Sequence, residues 1–519
     1  MTTPTATRHA ALRDALRLPA TALLLAGPTV LAFFSGGYFD NSFLWAGVGA
    51  WALVLAAAIA TGQPWPRSRL AWLGLGGLAG LVGWTALSIS WSPLRGAALD
   101  DVERLLLYLG ALIAGMALLR APHPARALEP ALALGALVVV VYGLSERLLP
   151  GLLRLDRSFT AAGRLEQPLT YWNGMGVLAA IGLLLCVRMT GDRARQAGMR
   201  AAAAAASVPL AVGLYLTFSR GALVALACGV CVLVAAAPDR RQLRALALTV
   251  ATCAVPVLAS DRLRGVRTLF GTLHDREREG LVMLAVLVGF MAAAALLAFW
   301  TARAEAGERL RDALHPVLRP LAITGAVLCA VFPVALVLAQ GETSGALGEG
   351  NPARGATASR LQSLDSNRYD FWRVAIKEAR AHPIDGLGAG GFRAAWLQKR
   401  TINYNVVDVH SDYLQALTEL GLVGLALMLA FVGGVIAAGV RAVRRHSILA
   451  PGWAAGTAVW MAHSAVDWDW EMPAVSLVGL LLAAALLAWS EAPASAGPGS
   501  EPIEAERTGA APVGAGGAR

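Results

Sequence analysis

The chain has 519 residues, 56% of them hydrophobic and only 15% charged, with a mean hydropathy of +0.57 and a net charge of +10. A soluble globular domain carries about 25% charged residues, so this balance excludes one and leaves a polytopic membrane protein. Apolar runs of about 20 residues, enough to cross a ~30 Å hydrocarbon core, recur along most of the length.

Residues 1–17 read as a cytoplasmic segment carrying Arg8, Arg13 and Arg17. About fourteen spans follow within an all-α membrane domain over 18–490, at roughly 18–35, 42–61, 70–90, 105–120, 129–149, 172–189, 201–218, 221–237, 245–260, 281–300, 320–340, 413–440, 448–464 and 472–490. The first run is not a cleaved signal, because further spans follow it. Arg67 and Arg69, Arg193 and Arg195, Arg240, Arg241 and Arg244, and Arg441, Arg444 and Arg445 all fall in loops on the side of the N-terminus. The positive-inside rule therefore puts both termini in the cytoplasm. The tail 491–519, rich in Ala, Pro, Gly and Ser, reads as disordered.

The five cysteines all sit in apolar runs, and Cys228-x-x-Cys231 reads as packing rather than a redox or zinc pair. Outside lie loops 91–104, 150–171, 261–280 and the long 341–412. Three of them are basic against the topological trend: Arg154, Arg157 and Arg164; Arg262, Arg264, Arg267, Arg276 and Arg278; and Arg360, Arg368, Arg373 and Arg380. These clusters point to an anionic ligand, since arginine grips phosphate bidentately. Within the long loop, 367–381 has helical periodicity. Phe371, Trp372, Ala375, Ile376 and Ala379 form an apolar face, with Asp370, Arg373, Lys377, Glu378 and Arg380 opposite. Such a helix is expected to lie along the membrane interface. His382-Pro383 ends it, and a glycine-rich turn, Gly386 to Phe392, follows. No parallel-sheet context surrounds that turn, so it is not a nucleotide fingerprint.

Three places can do chemistry. Arg220 lies in a gap so short that its guanidinium sits at the outer interface; on residues alone it is either a snorkelling helix cap or an anion ligand. His410 opens the twelfth span, as a general base or as an interfacial histidine bonded to backbone. Glu419, nine residues on, faces the other side of a continuous helix and is not the partner of His410. His463 to Glu471 forms a short external turn whose carboxylates can hold a sugar or a cation, with Trp468 and Trp470 as stacking platforms or an interfacial belt. Metal-ligand clusters are otherwise missing, so no metal is expected.

Read in order, these strings resemble the O-antigen ligase and polymerase family of bacterial membrane glycosyltransferases. They are Ser219-Arg220-Gly221; Arg164 followed by Tyr171-Trp172-Asn173; Arg368 with Trp372; His382-Pro383; Gly386 and Gly388 with Phe392; His410-Ser-Asp-Tyr-Leu-Gln415; and His463 with Asp467. The resemblance covers about 160–475. It implies a GT-C-like architecture in the bacterial cytoplasmic (inner) membrane, with the active site facing the periplasm. It implies a polyprenyl-pyrophosphate-linked glycan donor, a glycan or lipid-linked acceptor hydroxyl, membrane lipid around the bundle, and neither cofactor nor nucleic acid. It implies that Arg220 and Arg368 clamp the pyrophosphate while His410 takes the acceptor proton with inversion. Substrate contacts are implied for Arg164, Tyr171, Trp172, Asn173, Trp372, Tyr413, His463 and Asp467. A polysaccharide polymerase or a protein O-oligosaccharyltransferase would share the donor site. A transporter is the rival of another class, but transporters place ionisable groups near the midplane, and here polar groups collect on one face.

Overall fold

The computed structural model describes residues 4–305, 319–329, 331, 355–445 and 447–491, and among these it contains no strand. The helices are α1 (Pro4–Ala32), α2 (Asp40–Thr61), α3 (Arg69–Ser88), α4 (Arg95–Leu118), α5 (Pro122–Leu148), α6 (Trp172–Gly191), α7 (Ala197–Leu216), α8 (Arg220–Ala236), α9 (Arg240–Arg262), α10 (Arg264–Thr268) and α11 (Leu273–Glu305). They continue with α12 (Arg319–Cys329), α13 (Arg368–Ala381), α14 (Gly391–Lys399), α15 (Asp412–Arg444), α16 (Ala450–Ser464) and α17 (Pro473–Trp489). Among the described residues nine helices are long and apolar enough to cross a membrane, and α8, α12 and α17 are shorter apolar helices. Every apolar run read from the sequence falls on a helix, although most of 330–340 lies outside the described residues, as do 341–354 of the long loop and the tail beyond 491.

Helices apolar on all sides occupy the centre, as burial requires. Both α6 and α17 are enclosed over nearly their whole length. Close approach elsewhere rests on small residues. A Cβ on Gly77 of α3 would stand 2.4 Å from the backbone nitrogen of Phe431 on α15, so those two backbones touch. The Cys228/Cys231 stripe serves the same end: a Cβ on Gly325 of α12 would stand 2.8 Å from the Cys231 sulfur. The alternation of helices creates two ends. One carries the basic turns α2–α3, α6–α7, α8–α9 and α15–α16, here the far end. The other, the site end, gathers the starts of α6, α8 and α15 and the end of α16.

The glycine turn has a backbone reason. Helix α15 is broken at Gly421, where φ is 65° and ψ −165°, so hydrogen bonds around the break are lost within the helix. The turn supplies them. Leu387 and Gly388 donate to the Thr418 and Glu419 carbonyls at 3.1 and 2.7 Å, and Leu422 donates to the Pro383 carbonyl at 2.8 Å. A Cβ on Gly386 would stand 2.4 Å from the Glu419 carbonyl, so only glycine with its positive φ fits. The Glu419 carboxylate finds its partner nearby, accepting from the Phe392 N–H at 3.0 Å.

The amphipathic helix is present as α13, but its apolar face is spent on protein, which corrects the interfacial reading. Phe371, Trp372 and Ala375 are buried with Phe392 and Trp396 of α14, Val409, Leu414 and Val466. Asp370 and Glu378, assigned to the wet face, are buried too. Asp370 accepts from Arg373 at 2.9 Å and Thr401 at 3.1 Å, and Glu378 pairs with Lys399. Loop segments close over α13, so the helix is buried beyond its apolar stripe.

Candidate active site

The Thr217-Phe-Ser-Arg220 string is a tight reversal between α7 and α8. Phe218 has φ of 49°, the left-handed region that a bulky residue occupies only when its surroundings hold it there. Those surroundings are the Thr217 hydroxyl, which donates to the Leu214 carbonyl at 2.6 Å, and the Ser219 side chain, which caps α8 by accepting from the Ala222 N–H at 3.3 Å. Gly176 lets α6 press on this reversal, since a Cβ there would stand 3.0 Å from Thr217, Ser219 and Ala222. Arg220 therefore starts α8 with a fixed direction. Its guanidinium donates to the carbonyl of Ser363 and, at 2.9 Å, to that of Asp365 in the loop before α13.

His410-Ser-Asp-Tyr-Leu-Gln415 is a helix start built around the imidazole. Ser411 caps α15, accepting from the Leu414 N–H at 3.4 Å, and the side-chain Oε1 of Gln415 accepts from the Val409 N–H at 3.1 Å. His410 itself has φ of 59°. Its Nδ1 lies 3.0 Å from the Asp408 carbonyl, which can only accept, so Nδ1 carries the hydrogen and Nε2 holds the lone pair. The ring lies between Phe371, at 5.3 Å, and Trp468, at 6.0 Å between centroids. Burial, and then the positive charge of Arg368, push its pKa down to about 4, so it is a neutral imidazole at pH 7.

The third part is a hydrogen-bonded chain from α13 to α6 and α16. Arg368 donates to the Val466 carbonyl and, at 2.6 Å, to Asp467 Oδ2. Asp467 Oδ1 accepts from the Tyr171 hydroxyl at 2.6 Å, and Asn173 Nδ2 donates to that hydroxyl at 2.8 Å. Burial works against the charge on Asp467, but Arg368, His463 and His410 outweigh it and hold the carboxyl below its usual range. On Arg368 the order is the same: burial opposes the charge, Asp467 and Tyr171 restore it, and its pKa is raised. Arg164 lies over Trp172 at 3.6 Å from the ring centroid and donates to the Ala161 and Thr160 carbonyls, both at 2.7 Å.

Several residues read as substrate contacts sit elsewhere. Trp372 is 2% exposed and packs on Tyr369 within the α13 core, so its ring faces protein. Tyr413 ties α15 to α16 by donating to the Met461 carbonyl at 3.2 Å. His463 is fully enclosed. Its Nδ1 lies 2.8 Å from Asp469, and its Nε2 lies 3.9 Å from Asp467, so it bears on the site through Asp467. Trp470 stacks on Trp460 at 5.7 Å inside the bundle, and Trp468 lies 4.5 Å from Tyr171; neither forms a lipid-facing belt.

One residue was counted in the sequence only as part of a basic loop. Arg360 stands among the site guanidiniums, with Nε donating to the Phe218 carbonyl at 3.1 Å. Burial, and then Arg164, Arg220 and Arg368 around it, push its pKa down to about 8. Its only sequence signal was the arginine excess of a translocated loop. The guanidiniums of Arg164, Arg220, Arg360 and Arg368 thus lie near one another, with Asp467 paired to Arg368. A cavity of about 70 Å³ opens between α3, α4 and α15, lined by Asp101, Arg104, Gln415, Glu419 and Glu471. Arg104 bridges Asp101, at 3.0 Å, and Glu471. No group of three or more His, Cys, Asp or Glu side chains among the described residues is disposed to hold a metal ion.

Residues 277–429 match the family model described as O-antigen ligase. That stretch of the chain is similar to the O-antigen ligase family. The matched stretch contains α13, the glycine turn, His410 and the break in α15, while Arg164, Arg220 and Asp467 lie outside it and are joined to it by the geometry above. No curated protein matches the chain.

Proposed function

We propose that this chain is an O-antigen ligase-type glycosyltransferase that transfers a glycan from a polyprenyl-pyrophosphate donor to an acceptor hydroxyl at the outer face of the bacterial cytoplasmic membrane. The observation that carries this reading is the meeting of Arg220 and Arg368 with a neutral imidazole, at one end of a membrane bundle. Pyrophosphate is a competent leaving group once its growing charge is met by fixed donors. The acceptor oxygen attacks the anomeric carbon in line, the bond from that carbon to the pyrophosphate oxygen breaks, and its electron pair leaves with the pyrophosphate. The hydroxyl proton passes to Nε2 of His410, and the sugar inverts. An imidazole of low basicity takes that proton late, after the new C–O bond has made it acidic. Arg220 now donates to two loop carbonyls, and phosphate oxygens are the stronger acceptors for the same N–H groups. The basic far end faces the cytoplasm by the positive-inside rule, which puts the site outside.

The test is turnover of a polyprenyl-pyrophosphate-linked oligosaccharide by purified protein in excess EDTA. Expected products are polyprenyl pyrophosphate and a new glycosidic bond of opposite anomeric configuration. Release of polyprenyl monophosphate, a retained anomer, or activity that returns only with magnesium rejects the scheme. Orientation is tested by Leu364→Cys and Gln63→Cys in a cysteine-free background. An impermeant thiol reagent should label only the first in intact cells, and the opposite pattern inverts the topology.

A further inference from the structure

The cavity between α3, α4 and α15 opens at the first turns of α15, the helix that starts just after His410. A water needs roughly 10–15 Å³ of such space. The cavity, at about 70 Å³, therefore takes several hydroxyl-sized groups, the edge of a sugar rather than its whole ring. Its lining is strongly charged for a membrane protein: Asp101, Asp412, Glu419 and Glu471 surround it with one cation, Arg104. Arg104 is only 8% exposed. Its Nη1 serves Asp101 and Glu471, and its Nε has no hydrogen-bond partner among the described residues. The described bonds of Asp101 and Glu419 use one oxygen of each, to Arg104 and to the Phe392 N–H, both at 3.0 Å. Short links tie this cavity to the imidazole. Gln415 lines it, accepts the Val409 N–H at 3.1 Å through Oε1, and places Nε2 3.4 Å from Glu471. Asp408, whose carbonyl receives the Nδ1–H of His410, lies within electrostatic reach of Glu471, Arg104 and Asp101.

We propose that this cavity is the acceptor-sugar subsite, where the carboxylates and the Arg104 Nε hold hydroxyls of the acceptor while its reacting hydroxyl faces His410. This rests on the donor-site reading above. Sugar hydroxyls both donate and accept, so a wall that combines acceptor-only carboxylates with a donor N–H matches them. A buried N–H left without an acceptor is costly, and a hydroxyl oxygen satisfies it. The same wall repels pyrophosphate, because its carboxylates outnumber its one cation. In an inverting displacement the attacking oxygen arrives on the face opposite the leaving group. The groups that hold the acceptor should therefore come from other elements than the pyrophosphate clamp. Arg220 and Arg368 stand on α8 and α13, whereas the cavity is built mainly by α3, α4 and α15.

The experiment uses the full chain in detergent and two kinds of probe. Methyl glycosides of glucose, galactose, mannose and N-acetylglucosamine report the cavity by saturation-transfer NMR, and geranyl pyrophosphate reports the donor side by titration calorimetry. At least one glycoside should bind the wild type. Ala416→Leu fills the cavity without changing a charge, and Asp101→Asn removes one charge without changing its shape. Each should weaken that glycoside about tenfold or more and leave the Kd of geranyl pyrophosphate within about twofold. In transfer from a polyprenyl-pyrophosphate-linked oligosaccharide, each should raise the acceptor KM by a similar factor and leave the donor KM unmoved. A wild type that binds none of the glycosides, or variants that both bind them normally, would overturn the proposal and leave the clamp standing. A raised donor KM with the acceptor KM unmoved would overturn it too, placing a sugar of the donor in the cavity. Equal weakening of glycoside and geranyl pyrophosphate would make the cavity a matter of packing alone. Unchanged geranyl pyrophosphate affinity in Arg368→Gln would remove the donor-site reading, and the acceptor role of the cavity with it, even where a glycoside still binds.

Discussion

At the far end of the bundle, Arg195 lies 2.7 Å from Glu129 and 3.7 Å from Asp192, and Arg188 lies 3.7 Å from Asp192. Glu129 is fully buried there, and Arg188 adds a bond to the Ile448 carbonyl at 2.6 Å. Carboxylates at that end answer the arginines, and the contacts join α5, α6 and the turn before α16. At the site end Arg368 is paired with Asp467, whereas Arg164 and Arg220 donate to backbone carbonyls. Buried charge is costly unless paired, so a matched cluster needs no explanation beyond folding, whereas an unmatched one needs a ligand. On the reading proposed here, that difference separates a structural arginine from a functional one.

The sharpest way to break that comparison is to remove the groups proposed to act at the site end. Arg220→Ala, Arg368→Ala and His410→Ala should each lower kcat by about 10²- to 10⁴-fold, with membrane levels and unfolding midpoints near wild type. A His410→Ala protein that keeps more than a tenth of the rate at neutral pH would end its role as base. A collapse of protein levels in Arg220→Ala would move that residue into the structural class.

The pH dependence gives a smaller effect with a definite sign. His410 must be unprotonated to accept a proton, and burial and Arg368 place its pKa near about 4 in the free protein. The kcat/KM limb that reports the free enzyme should therefore fall only as pH drops through that region. At pH 5.5 it should remain within about twofold of its value at pH 7.5, whereas a histidine of ordinary pKa, about 6.5, would already have lost about tenfold. In the donor complex the pyrophosphate charge favours the imidazolium, so the acid limb of kcat should lie at higher pH than that of kcat/KM. A kcat/KM limb near 6.5 would show that the imidazole is not shielded as the structure places it.

The matched end should answer in the opposite currency. Glu129→Gln leaves Arg195 without its closest carboxylate inside the bundle, and breaking a buried pair costs about 3 kcal/mol or more. The unfolding midpoint in detergent should fall clearly, while kcat of the protein that remains folded stays within about twofold. A normal midpoint with a lost rate would dissolve the distinction between the ends.

Much of this was legible in the sequence because it is local. Apolar runs fixed the helices, since each satisfies its own backbone in lipid. The strings around Arg220 and His410 read correctly as polar groups at helix starts because capping is decided within a few residues: Ser219 and Ser411 each bond to an N–H three positions on. What was not legible depends on contacts between distant segments. Arg360 meets Phe218 across 142 residues of chain, and nothing near Arg360 announces it. Asp370 and Glu378 looked wet because periodicity shows which face is apolar, not whether another segment will cover the polar one. The break of α15 at Gly421 was hidden inside an apolar run, and its partner, the turn at Gly386, read as a loop.

The smallest expected effect concerns the basic loop 261–280, which the sequence groups with the other basic external loops as pointing to an anionic ligand. The structure gives its charges other partners or leaves them in water. Arg267 lies 3.1 Å from Asp261, and Arg276 lies 3.6 Å from Glu146, which also pairs with Arg157. Arg262 and Arg264 are exposed, where attraction to an anion is screened beyond a Debye length of about 10 Å at 0.1 M salt. The backbone of the loop is itself held by Arg147, which donates to the Val266 and Arg267 carbonyls at 2.6 and 2.8 Å. By the rule drawn from the two ends, this loop belongs with the matched charges, and its arginines break the positive-inside trend without serving the donor. Replacing Arg262, Arg264 and Arg267 by Gln together should leave KM for the lipid-linked donor within about twofold and its salt dependence unchanged. A tenfold rise in that KM, with the acceptor KM unmoved, would show that matched and exposed arginines also bind donor, and the contrast between the two ends would no longer identify the site.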